Sequence, residues 1–89
     1  MKPVLMHISD VLDLHTFRPG EVPDLLDDYF DECRRRGIFA VRIIHGKGKG
    51  VLKKRVLALL HKHPLVAAVT PAPADAGGWG AVLVELKKP

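Results

Sequence analysis

Two short stretches of this sequence have residue types and spacings suited to chemistry on phosphate. The first is Asp13-Leu14-His15, and the second is His45-Gly46-Lys47-Gly48-Lys49-Gly50. A histidine can pass a proton to or from an attacking or leaving oxygen near neutral pH. A carboxylate two residues away, Asp13, can orient that ring or help hold a metal. In the second stretch, glycines at alternate positions let the backbone turn sharply and approach a ligand closely. Lys47 and Lys49 add positive charge, and Lys53 and Lys54 extend it into the segment that follows. A glycine-rich turn entering a helix leaves backbone N–H groups unpaired at the positive end of the helix dipole, which suits an anion. Two histidines and a carboxylate (Asp13, His15, His45) also satisfy the ligand chemistry of a divalent metal such as magnesium or manganese, although no close-spaced ligand motif demands one. A further glycine-rich stretch, Gly77-Gly78-Trp79-Gly80, either closes the same site or simply turns the chain.

The surrounding pattern says how these residues are positioned. Val11-Leu12-Asp13-Leu14-His15 alternates as a short strand, which would put Asp13 and His15 side by side on one face. Val22, Leu25, Leu26, Tyr29, Phe30 and Cys33 form one apolar helical stripe, with acids opposite. Pro23 belongs in that helix's first turn and Gly37 at its C-terminal cap. Cys33, on the stripe, reads as a core residue. Phe39–Ile44 is nearly all apolar, as expected of a central strand. A helix follows from Val51 to His63, with Leu52, Val56, Leu59, Leu60 and His63 on one face and Pro64 stopping it. Val66–Ala72 and Trp79–Leu86 complete the set as strands that either form a hairpin or flank a central strand. The order β-α-β-α-β-β, with two one-sided helices, predicts a two-layer α/β sandwich on a four-stranded mixed sheet. Its first two strands should be parallel, joined by a right-handed crossover. Their C-terminal ends, carrying His15 and His45, should then share the edge where functional groups of such sheets collect.

Composition bounds the function. The 89 residues read as an N-terminal arm (1–10) and one domain (11–89). No apolar run approaches the roughly 18–20 residues of a membrane span, so no membrane role is expected and the location should be cytoplasmic. The single cysteine rules out an internal disulfide. The net charge of +4 is unevenly spread. Residues 34–63 hold ten Lys and Arg and no acid, a block that favours a polyanionic partner such as DNA or RNA. The glycines do not fit G-x-G-x-x-G, nor does any segment fit G-x-x-x-x-G-K-[ST], which argues against a nucleotide cofactor. Trp79 is the lone aromatic candidate for base stacking, and its place at a turn entering a strand reads as packed. His7, His61 and His63 are not expected to be ligands.

Leu12-Asp13-Leu14-His15, Ile43-Ile44-His45-Gly46-Lys47-Gly48 and Gly77-Gly78-Trp79-Gly80-Ala81, in that order, resemble the Smr (small MutS-related) domain family over residues 11–86. The resemblance implies a fold similar to the C-terminal domain of translation initiation factor three. It also implies DNA-nicking or RNA-endonuclease activity, with Asp13, His15, His45, Gly46 and Gly48 as the matching motif residues. Thr16 and Val82 stand where the family commonly has Gly and Thr. The expectation is a stand-alone endonuclease in which His15 and His45 share acid–base work and the Gly46–Gly50 turn holds phosphate. The alternatives are a non-catalytic nucleic-acid-binding module, DNA-repair- or ribosome-associated, and a protein-interaction module that uses the acidic first helix.

Overall fold

The apolar stripe that begins at Val22 organises the core. The computed structural model describes residues 10–46, 50–76 and 78–89, so the expected arm up to residue 9, Lys47, Gly48, Lys49 and Gly77 lie outside the described residues. Helix α1 (Val22–Arg35) buries Val22, Leu26, Tyr29, Phe30 and Cys33, the stripe expected from the spacing apart from the partly buried Leu25. Its C-terminus is closed by two backbone bonds: Gly37 N–H donates to the Arg34 carbonyl (3.1 Å) and Ile38 N–H to the Cys33 carbonyl (2.8 Å). This geometry requires a left-handed residue, and Gly37 supplies it at φ +75°.

The strands are β1 (Val11–Asp13), β2 (Ala40–Ile44), β3 (Val66–Pro71) and β4 (Ala81–Leu86), with helix α2 (Val51–Lys62) between β2 and β3. They form one sheet in the order β1-β2-β4-β3. β1 and β2 are parallel, with Asp13 opposite Ile44. β4 runs antiparallel to both neighbours. The apolar Val41 and Ile43 therefore sit on an interior strand, as their sequence context predicts. β3 and β4 pair directly, which settles the two arrangements left open by the sequence in favour of the antiparallel pair.

Val41, Ile43, Val82, Val84 and Leu86 project from the sheet into a cluster with Leu26 and Phe30 of α1 and Val56 and Leu60 of α2. Both helices thus cover the same sheet face, the two-layer arrangement that one-sided helices require. The other face is open. Val11, Arg42, Thr70, Leu83 and Glu85 line a shallow groove of about 610 Å³ there.

One boundary differs from the pattern in a way that matters for the site. The first strand does not continue to His15. Leu14 N–H still donates to the Ile44 carbonyl (2.7 Å), but the next N–H, that of His15, is taken by the Asp13 carboxylate (3.0 Å). A short polar side chain that captures the backbone two residues on competes with the ladder and starts a turn. Phe17 N–H donating to the Leu14 carbonyl (3.0 Å) completes it.

Candidate functional site

Asp13 and His15 are brought together by this turn rather than by strand alternation. His15 Nδ1 lies 2.5 Å from the same Asp13 Oδ1 that accepts the His15 backbone N–H. An ionised carboxylate only accepts, so Nδ1 carries a proton, and in the neutral ring Nε2 is then the acceptor nitrogen. The ring's hydrogen bond, and then the backbone one, hold the Asp13 carboxyl below its ordinary value of 3.8. Both side chains are about half exposed, 57% for His15 and 47% for Asp13. The pair is open to a large ligand.

His45 follows β2 and sits differently. The residue is only 3% exposed. Its Nδ1 is 2.9 Å from the Gly46 carbonyl, which can only accept, so Nδ1 carries the proton. Nε2 is a buried acceptor with no hydrogen-bond partner among the described residues. Gly46 has φ +88°, and a Cβ placed on it would lie 3.4 Å from the Cβ of His15. The two strand ends therefore touch, as expected of parallel neighbours. Gly50, at φ +85°, is the N-cap of α2 and lies where the sequence expected a phosphate-binding turn to end.

The third glycine-rich stretch joins the same edge. The Gly80 carbonyl accepts from both His45 N–H and Gly46 N–H, each at 2.9 Å. The single turn of 3-10 helix at Gly78–Gly80 thus fixes the backbone on which His45 and Gly46 are mounted. The described residues of all three stretches singled out from the sequence converge here. Lys47, Gly48, Lys49 and Gly77 fall outside the described residues. Lys54 is exposed on the first turn of α2.

The expectation that Trp79 is packed is overturned. Trp79 is 63% exposed, because the turn Gly78–Gly80 carries it out beyond the sheet edge while Gly80 itself is buried. Its only close ring partner among the described residues is Lys53, whose Nζ lies 3.3 Å from the ring centroid, a cation–π contact. No sequence pattern links Lys53 to Trp79, because nothing local connects a helix to a turn so far along the chain.

Among the described residues, no group of three or more His, Cys, Asp or Glu side chains converges to hold a metal ion. Asp13 and His15 engage each other, and His45 is buried. His63, expected to be a helix-end residue without special function, is instead a structural link. Its Nδ1 accepts from Leu65 N–H (3.1 Å), so Nε2 carries the proton and donates it to Asp27 of α1 (2.7 Å). No helix among the described residues is long and apolar enough to cross a membrane.

The family model for the Smr domain matches residues 12–87. The chain is 40% identical over 81 residues to Endonuclease MutS2 of Halalkalibacterium halodurans, covering 91% of this chain but 10% of that protein. It is 36% identical over 85 residues to Ribosome rescue factor SmrB of Aliivibrio fischeri, covering 94% of this chain and 48% of that one. The chain thus spans a tenth to about half of these relatives. Its fold matches the crystal structure of the Smr domain of Thermus thermophilus MutS2 with a TM-score of 0.82 at 29% identity, over 89% of this chain and 99% of that one.

Proposed function

Because the chain belongs to the Smr domain family, we propose that it is an endonuclease that cuts the phosphodiester backbone of DNA or RNA. The observation that carries this reading is the half-exposed Asp13–His15 pair, with one ring nitrogen of His15 fixed by the carboxylate. Nε2 of His15 would take the proton of the attacking hydroxyl as its oxygen bonds to phosphorus. The same kind of proton transfer, reversed, would serve the departing oxygen. The backbone around Gly46–Gly50, with Lys53 and Lys54, would hold the phosphate charge. The burial of His45 supports unequal roles for the two histidines. His15 carries the proton, while His45 orders the loop and offers a buried acceptor beneath it. The names of relatives such as Endonuclease MutS2 point the same way.

The reading is tested by incubating the wild type and His15→Ala with matched single-stranded, duplex and branched DNA and RNA, with and without divalent cations. Cleavage of at least one substrate by the wild type, and its loss in His15→Ala, is the expected result. A second reading is a non-catalytic nucleic-acid-binding module, favoured by the acid-free basic stretch 34–63. It predicts salt-dependent binding and no cleavage in any arm of the same experiment.

A further inference from the structure

Beside the site lies a groove of about 550 Å³ between α2, β3 and the turn that carries Trp79. We propose that it receives one unstacked nucleobase of the bound strand, with Trp79 as the stacking surface. This rests on the nucleic-acid reading above and adds to it a base-binding subsite.

The groove wall is largely apolar, with Leu57, Val69 and Val82 among its residues, and Lys53, His61 and Trp79 line it too. Its volume is in the range of small-ligand sites. Its mouth carries a large flat ring held 63% exposed, which is unusual for the residue that buries the most apolar area. Lys53 holds its ammonium against that ring, so one cation is available both to the ring and to a ligand edge. Among the described residues no acid lines the groove, and the helix that forms one wall belongs to the acid-free basic stretch. A ligand with a flat π-face and an attached anion matches these features, and a nucleotide has both.

Position supplies the remaining argument. Gly78 and Trp79 line the groove, and the next residue, Gly80, accepts the N–H groups of His45 and Gly46. A strand whose phosphate sits at Gly46 therefore has the groove as its immediate neighbour. Stacking on an aromatic side chain tolerates any base, so the subsite would select unpaired nucleotides rather than a sequence.

Trp79 is the only tryptophan, so its fluorescence reports occupancy directly. The experiment uses the His15→Ala chain, to keep strands intact, with short single-stranded DNA and RNA oligonucleotides, unmodified or made abasic at one position at a time. The unmodified strand should quench the fluorescence. One abasic position should abolish quenching and weaken binding by about tenfold. Trp79→Ala should weaken the unmodified strand, measured by anisotropy of a labelled end, by a similar factor and erase the abasic penalty. Equal binding of unmodified and abasic strands at every position, with unchanged fluorescence, overturns the base subsite and leaves the nucleic-acid reading standing. Failure of any strand to bind overturns both. Quenching by an aromatic peptide and by no oligonucleotide would assign the groove to a protein partner instead.

Discussion

Asp13 Oδ1 accepts from both the backbone and the ring of His15, so one side chain ends a strand and sets a tautomer. Asp13→Asn keeps an oxygen at that place but removes the charge, and its amide can turn a donor toward the ring. Cleavage should fall by roughly 10²-fold or more, while stability near neutral pH should change by less than about 1 kcal/mol, because the pair is exposed. The sign of the pH effect follows from the lowered carboxyl. Its stabilising contribution is present above about 3.8 and is lost as pH falls through the lower folded value. Equal cleavage by Asp13→Asn and the wild type would remove Asp13 from the mechanism. At this scale the sequence was informative where chemistry is local. The Asp13–His15 partnership needs only two residues of separation. The exposure of Trp79 is not legible in the sequence, because it depends on how the Gly78–Gly80 turn is set against the sheet, with Gly80 buried and the ring left 63% exposed.

At the scale of elements, α1 could be read almost residue by residue. Its apolar stripe, the early Pro23 and the cap at Gly37 all report the same helix, and each has a local physical cause. The link between the two helices was hidden. His63 and Asp27 are 36 positions apart, and no periodicity connects them. His63 is also in edge contact with Phe30, ring centroids 5.1 Å apart, and its side chain is only 9% exposed. His63→Ala should cost about 1–2 kcal/mol from the lost hydrogen bonds and packing, seen as a lower denaturation midpoint. An unchanged midpoint would show that the helices are held by their apolar contacts alone. The end of β1 departs from the alternation for a local reason instead. Alternation of apolar residues continued to Leu14, but a carboxylate captured the next N–H and ended the strand.

At the scale of the molecule, the fold brings the ends of β1 and β2 and the Gly78–Gly80 turn to one edge and leaves the opposite sheet face open. The core that makes this possible includes two ionisable groups held neutral. Burial pushes the Cys33 thiol above its ordinary 9.0 and the Tyr29 phenol above its ordinary 10.0. Their contribution is complete below about pH 9 and declines above it, because the unfolded chain then releases protons that the folded chain keeps. Denaturation midpoints should fall between about pH 8 and about pH 10.5, and equal midpoints would contradict burial of these groups. The central claim concerns the edge itself: that the Asp13–His15 pair cuts a phosphate backbone. Its most direct measurement is cleavage of a defined oligonucleotide by the wild type and by His15→Ala, purified in parallel and checked for equal folding and equal strand binding. The account predicts cleavage by the wild type and none by the variant despite retained binding. Cleavage at the same rate by both, or by neither on any DNA or RNA substrate, would contradict it.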